Sequence, residues 1–406
     1  MRKLSVIFVA MALLLGFSVN AMAAQALFYT EKERLPTSPT KELEVYGSVR
    51  AWTYLQNFDK ENATATGLAF DDTDLVWDLD DGSSRFGVRF KSGKVGANIE
   101  IRPRDRQKAR SRTLTIGGEM DFMRHWYGSY NLGFGTFIVG QTWAPTYNPI
   151  CKECLLGGSI LDNYGDTGLS SRLPGLQLHM PIPALNGLFK IALLKPHTDF
   201  GGQVLPAPYS DVDTTIPKIE ASLSGAFGPL SFMVRGGYNT FDEASITDDD
   251  TQSVDSWVFA GDLTYSIGSF YVRGTGYLGQ NLTVYGVGAA ASAMGLFPQA
   301  FVGNTIEDVD NWGWFGVVGY KFNDLLSIEA GYGMRHSELD NPVTGFTGED
   351  EASAFVVFLP ISITPAFIIT PEILWTDEGE LTSSTTGLTT DRGNRLYYGI
   401  YWRIDF

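Results

Sequence analysis

The chain has 406 residues, of which 13% are aromatic, 45 are glycine and only 19% are charged, with a formal net charge of −16. This acidic balance disfavours a nucleic-acid partner, because nucleic acids are bound by basic surfaces. Beyond the first residues there is no run of eighteen or more apolar residues. We therefore expect no transmembrane helix after processing.

The first residues have the pattern of a secretory signal peptide. Arg2 and Lys3 precede an apolar stretch at 6–19, and residues 21–23, Ala-Met-Ala, fit the small-residue rule for cleavage. A membrane anchor is the alternative, but the apolar stretch is short and is followed at once by the cleavage pattern. Removing both basic residues leaves 28 basic and 46 acidic residues, a mature charge of −18. The predicted organisation is a signal peptide over 1–24, a short N-terminal segment over 25–41 and one barrel domain over 42–406.

From residue 42 onward, alternating segments are joined in turn by very short turns and long polar loops. Glycine, proline and asparagine mark the turns, for example at 91–94 and 227–229. The segments number about sixteen, and short turns at one rim with long loops at the other are typical of an outer-membrane barrel. A soluble sandwich is the alternative, but it gives no reason for loops to sort by length. The long connections are expected at 54–84, 103–121, 144–171, 196–216, 242–252, 282–309, 339–350 and 377–394.

The last strand shows the side-chain pattern most plainly. From Arg395 to Phe406, every second residue is apolar or aromatic, and the intervening ones include Arg403 and Asp405. Successive side chains of a strand point to opposite faces, so one face is expected in lipid and the other in water. Two strands, 122–130 and 355–363, show no clear apolar face. Because an open sheet edge cannot lie in lipid, the sheet is expected to close into a barrel.

Three segments resemble the general trimeric porins of Gram-negative outer membranes: 84–101, 126–141 and 401–406. The first two look like the hairpins that lead to the constriction loop of that family. The last is similar to its C-terminal assembly signal, here Tyr401, Trp402 and Phe406. The resemblance implies an all-β, transmembrane antiparallel β-barrel with a constriction loop folded into the lumen. It also implies a homotrimer and insertion by the barrel-assembly machinery. Gln141, where many porins have arginine, departs from the family.

The resemblance places the constriction loop at 144–171, with Tyr147, Glu153, Asp162 and Asp166 as its candidate residues. It implies that the loop acids face basic residues of the opposite wall, creating a transverse field that orders dipolar solutes and filters ions by charge. The alternative is that these are ordinary solvated charges. A basic series at every second position continues from there to Arg112, forming either an anion-gathering vestibule or a solvated loop that faces lipopolysaccharide. The candidate basic wall residues are Arg50, Arg85, Arg89, Arg102, Arg104 and Arg106.

The only two cysteines, Cys151 and Cys154, lie in this loop and depart from the family pattern. C-x-x-C is compatible with a redox motif, half a zinc site or a local disulfide. Zinc needs about four protein ligands, and no other histidine or cysteine lies nearby in sequence. An oxidising periplasm favours the disulfide, which would stiffen the loop. No cofactor is expected.

The sequence predicts an outer-membrane porin through which small hydrophilic solutes and ions diffuse passively. Its expected surroundings are outer-membrane lipid and lipopolysaccharide. A substrate-selective channel for a sugar or a small anion is one alternative, with Trp143, Tyr147 and Tyr164 as an aromatic track. A barrel enzyme or adhesin is another, although no G-x-S-x-G or H-E-x-x-H motif occurs.

Overall fold

The computed structural model describes residues 41–58, 73–80, 82–103, 123–151, 161, 164–166, 172–198, 209–245, 251–287, 299–302, 305–340, 344–383 and 385–406. The predicted signal peptide, the basic series from Arg104 onward including Arg106, and the loop residues Glu153, Cys154 and Asp162 lie outside these ranges. Within them, no helix has the length and apolar character needed to cross a membrane.

Sixteen antiparallel strands form one closed barrel, as the sequence predicts. Each strand is hydrogen-bonded to its neighbours in the chain, and the last pairs with the first from Ser48↔Asp405 to Phe58↔Arg395. Closure leaves no free sheet edge, so the strands satisfy one another's backbone groups without water. The strands are β1 Lys41–Phe58, β2 Thr73–Leu79 with Arg85–Ser92, β3 Val95–Ile101, β4 Met123–Asn131, β5 Thr136–Trp143, β6 Arg172–Ile182, β7 Gly187–Leu194, β8 Tyr209–Asp213 with Lys218–Phe227, β9 Leu230–Ser245, β10 Thr251–Ile267, β11 Phe270–Gln280, β12 Asp310–Lys321, β13 Ser327–Asp340, β14 Thr347–Phe358 with Ile361–Thr364, β15 Phe367–Asp377 with Glu380–Thr382, and β16 Thr389–Asp391 with Asn394–Asp405.

Short and long connections alternate around this barrel. The shortest turns include 228–229 and 268–269, each with a glycine at positive φ, Gly228 at 56° and Gly268 at 58°. Glycine adopts this conformation without steric cost, so two residues are enough to reverse the chain. The long connections all lie at the opposite rim. One of them carries a short 3₁₀ turn, Leu282–Tyr285, and a small hairpin, Gln299–Val302 with Thr305–Asp308.

The two faces of the wall differ as the alternation predicts. On β10, the outward Phe259 and Leu263 are 53% and 57% exposed, whereas the inward Ala260 and Asp262 are buried. On the last strand the outward Ile404 is exposed and the inward Tyr401 is buried. The exposed apolar side chains form the surface that faces lipid, because a mid-bilayer charge there would cost ~2–4 kcal/mol.

The two strands without a clear apolar face have separate physical explanations. On β14, the outward Phe355 is exposed, but the inward Ala354 and Val356 are also apolar and fully buried, because they pack beneath the constriction loop. On β4, the pairing register shifts opposite Glu100 and Ile101. Such a bulge re-aims a side chain, and here it brings Arg124 to the lumenal Glu100.

Candidate functional site in the barrel lumen

The connection after β5 folds into the lumen, where it is anchored to the inner wall of β8 to β10. Thr146 donates two hydrogen bonds to Oε2 of Glu220, from its backbone N at 3.1 Å and from Oγ1 at 2.6 Å. Arg235 donates to the carbonyl oxygen of Thr146. Asn148 Nδ2 donates to Oδ2 of Asp262 at 2.8 Å. All three wall residues are buried, inward-pointing side chains, so this end of the loop is held by a polar network.

Further along, the same loop reaches the far wall. The Tyr164 hydroxyl donates to Oε1 of Glu378, just after the main segment of β15, at 2.7 Å. Burial, and then the charge of that carboxylate, raise the pKa of Tyr164 above its ordinary value, so its hydroxyl remains a neutral donor. Gly165 lies against the backbone of β12 and β13, where an added Cβ would be 2.2 Å from the carbonyl oxygen of Trp314. The loop therefore crosses the lumen.

An apolar patch of the inner wall explains why the loop lies there. Ile150, Leu161 and Tyr164 of the loop are buried against it. Burying a side chain of this size contributes ~1.5–3 kcal/mol, whereas the same wall residues would face water if the loop lay elsewhere. The wall side of the patch consists of Trp52, Tyr54, Phe315, Val317, Ala352, Ala354, Val356, Phe358, Leu374, Tyr397 and Tyr401.

Asp166 fastens the loop to itself. Its two carboxylate oxygens accept hydrogen bonds from the backbone N atoms of Ile150, at 2.9 Å, and Cys151, at 3.0 Å. The residue is 1% exposed, so its charge is not presented to the water of the lumen. Near the other end, the Tyr147 ring stacks on Trp143 with centroids 3.8 Å apart. The guanidinium of Arg172 lies 4.1 Å from the centroid of that Trp143 ring.

A second inward-folded segment, which the sequence did not lead us to predict, follows β11 at 281–287. Its side chains Leu282, Val284, Tyr285 and Val287 are at most 2% exposed. Burial raises the pKa of Tyr285 well above its ordinary value. The available signal was a run of apolar residues at inward positions, where a wet wall should be polar. The segment covers Phe241, Val254, Val258, Ala260 and Tyr277 of β9 to β11.

The wall formed by β1 to β4 and β16 is rich in arginine. Arg85 interacts electrostatically with Arg50, Arg124 and Arg403, and Arg50 is paired with Arg403 in the strand register. Among these, Arg124 was not predicted, because a strict alternation places it on the lipid face. We refer to Arg50, Arg85, Arg124 and Arg403 as the arginine wall.

The carboxylates near the arginine wall are mostly buried, whereas several guanidinium groups are accessible. Glu100 accepts from Arg124 Nε at 2.5 Å and from the Tyr46 hydroxyl at 2.9 Å, and its side chain is only 5% exposed. Asp80 accepts from the Tyr401 hydroxyl at 2.7 Å and is fully buried. The side chains of Arg85 and Arg403 are 29% and 35% exposed. A mobile ion in the lumen would therefore meet mainly positive charge.

The other predicted basic residues lie around this wall. Arg89 is nearer the short-turn rim, where it donates to both carboxylate oxygens of Glu44 and lies 4.0 Å from the centroid of the Tyr46 ring. Arg102 directly follows β3 and interacts electrostatically with Arg172. No group of three or more His, Cys, Asp or Glu side chains that could hold a metal ion occurs in the part of the chain that the structure describes.

Comparison with known proteins agrees with this architecture. A family model described as Gram-negative porin matches residues 10–357. The outer membrane channel DcaP of Acinetobacter baumannii superposes with a TM-score of 0.65 at 16% identity, covering 92% of this chain and 99% of that one. Outer-membrane expressed OmpT of Vibrio cholerae gives 0.56 at 15% identity, covering 91% and 99%. The anion-selective porin from Comamonas acidovorans gives 0.57 at 12% identity, covering 90% and 100%. None of the curated proteins matches the sequence.

Proposed function

This chain belongs to the Gram-negative porin family and is an outer-membrane porin, and on that premise we propose that its channel passes small hydrophilic solutes by passive diffusion and favours anions. The family and the channels of similar structure point to a non-enzymatic pore. The proposal concerns which solutes the lumen admits.

The observation that carries the anion preference is the unequal exposure of charge along the arginine wall. Arg85 and Arg403 keep roughly a third of their side chains exposed, whereas Glu100 and Asp80 are buried. An ion in a narrow, low-dielectric lumen responds most strongly to the accessible charge. The Comamonas porin, which has the same fold, is also anion-selective.

The two inward-folded segments support the same path. They cover the apolar patches on β9 to β11 and on β12 to β16. Apolar walls repel hydrated ions, and here those walls are occupied by protein. The water-filled route is therefore expected to run between the constriction loop and the arginine wall, with the loop setting the size limit.

We further propose a homotrimer whose interface includes the low side of the barrel. β3, β5 and β7 have only 7, 8 and 8 residues, whereas β9 and β10 have 16 and 17. A tilted strand needs about nine to eleven residues to cross a bilayer, so the low side requires cover other than lipid. A solved OmpT structure from Vibrio cholerae is described as a trimer form. Migration of the unheated protein at monomer size would count against this proposal.

The remaining interactions follow from the proposed location. Residues 1–24 direct export, Tyr401, Trp402 and Phe406 are recognised by the barrel-assembly machinery, and lipid and lipopolysaccharide contact the outer face. Phe406 is 65% exposed at the end of the chain, which leaves its ring accessible during insertion.

The test of the proposed function is the reversal potential of single channels in a planar bilayer under a salt gradient. We expect an anion-selective sign for the native protein and a shift toward cations in the Arg85→Gln, Arg403→Gln double variant. Arg89→Gln is the matched control, because its guanidinium is already paired with Glu44. A cation-selective native channel, or a double variant with an unchanged potential, would refute the anion preference.

The substrate-selective alternative predicts a different result. One solute would then block the current in a saturable manner, whereas general diffusion gives a current linear in concentration. Liposome swelling separates both from a plugged barrel, which would admit no sugar.

A further inference from the structure

We propose that segment 281–287 is a second constriction element and that the buried pair Lys218–Glu220 couples its position to that of the constriction loop. This inference rests on the proposed channel function and deepens it. It assigns Lys218 and Glu220 as positioning residues, which set the solute limit through the two segments without contacting the solute.

The pair lies on the inner face of β8. Lys218 Nζ is 3.0 Å from Oε1 of Glu220, and both side chains are fully buried. Charges removed from water are stable only when they are paired and their remaining hydrogen-bonding capacity is used. Here that remaining capacity is directed to two different parts of the chain.

On one side, Glu220 holds the constriction loop. Its second carboxylate oxygen, Oε2, accepts both hydrogen bonds from Thr146, at 3.1 Å from the backbone N and 2.6 Å from Oγ1. The Thr146 carbonyl oxygen is held in turn by Arg235. The carboxylate thus joins Lys218 through one oxygen and the loop through the other.

On the other side, Lys218 holds the second segment. Its Nζ donates to the carbonyl oxygen of Val284 at 2.9 Å and lies 3.8 Å from the centroid of the Tyr285 ring. The same carbonyl oxygen is 2.9 Å from His197 Nδ1, which donates to it in the matching tautomer. Asn239 Nδ2 donates to the His197 carbonyl oxygen and fixes that histidine.

Each segment therefore satisfies one half of a buried ion pair. Withdrawal of the constriction loop would remove the partners of Glu220, and withdrawal of segment 281–287 would remove those of Lys218. Because the cost of an incompletely bonded buried charge falls on the whole pair, release of one segment favours release of the other. The two constrictions are thus expected to open together.

The first test is the Lys218→Met, Glu220→Gln double variant, which removes both charges and leaves neither unpaired. We expect its single-channel conductance to rise by roughly one and a half to two times, with a larger solute limit in liposome swelling, because both segments loosen. The matched control is Arg273→Met, Glu329→Gln, a lumenal ion pair whose recorded partner beyond the pair is the wall residue Tyr271. An unchanged conductance in the double variant, or an equal rise in the control, would overturn the proposal.

The second test measures the coupling itself and does not depend on the folding of the double variant. Thr146→Val removes the Oγ1 donor on the constriction loop only. Hydrogen exchange followed by mass spectrometry should then show faster exchange at 282–287 by about threefold or more, because protection reports local opening. Acceleration confined to the constriction loop would contradict the coupling. A native protein that conducts no ions would instead refute the porin proposal, whatever the exchange result.

Discussion

The backbone of Phe406 is hydrogen-bonded to that of Gly47 in both directions. Gly47 N donates to the Phe406 carbonyl oxygen at 2.8 Å, and Phe406 N donates to the Gly47 carbonyl oxygen at 3.0 Å. The Phe406 ring covers the glycine, where an added Cβ would be 2.3 Å from Cζ. The last residue of the chain therefore completes the seam between β16 and β1.

Gly47→Ala should weaken this seam, because the ring of Phe406 must move away to admit the methyl group. We expect a loss of about 1 kcal/mol in barrel stability and a smaller fraction of protein that resists unfolding in unheated gels. Deletion of Phe406 should lower the amount of assembled barrel in the outer membrane still further. Gly261→Ala is the control, since an added Cβ there meets no atom within 4 Å. Equal assembly of Gly47→Ala and Gly261→Ala would argue against the contact.

Gly165→Ala should displace the constriction loop from the far wall. The glycine has a φ of 98°, and a Cβ would be 2.2 Å from the backbone oxygen of Trp314 and 2.4 Å from that of Met334. Backbone atoms of a barrel strand cannot yield, so the loop must move, and we expect higher single-channel conductance with more current noise. Gly133→Ala carries the same backbone strain, at a φ of 95°, with no atom within 4 Å. The same conductance in both variants would show that strain alone, and not the contact, has no effect on the pore.

Glu100→Gln should destabilise the barrel because it leaves the buried Arg124 without its anionic partner. Breaking a buried pair by removing one partner costs ~3–5 kcal/mol. Glu44→Gln breaks the exposed pair with Arg89, whose side chains are 51% and 58% exposed, and should cost less than ~1 kcal/mol. Urea unfolding of the purified proteins in detergent measures both. A difference below ~1 kcal/mol between them would mean that burial does not strengthen the Glu100 pair.

The disulfide between Cys151 and Cys154 stays a prediction. Cys151 lies in the buried part of the constriction loop, with its backbone N bonded to Asp166, so a bridge there would limit the movement of the loop. Mass spectrometry without reductant should find the mature chain two hydrogens lighter than its reduced form. Recovery of two alkylatable thiols from unreduced, unfolded protein would exclude the bridge.

The wall of this protein could be predicted from the sequence because its information is local. Side chains alternate with a period of two, so the outward Leu263 and inward Asp262 can be assigned from their neighbours alone. The turn residues likewise fix where each strand ends, as Gly228 and Gly268 do. The strand number, the lipid face and the order of short and long connections all follow from such short-range patterns.

The interior of the lumen could not be predicted in the same way, because it depends on contacts between distant parts of the chain. Thr146 and Glu220 are 74 positions apart, and nothing near either residue indicates the other. Apolar residues at inward positions, such as Val356 and Val258, break the alternation until the loops that cover them are known. A shift of register at Glu100 likewise turned Arg124 inward. The sequence thus determined the barrel and its membrane face, whereas only the tertiary structure decided which charges reach the channel and which segments narrow it.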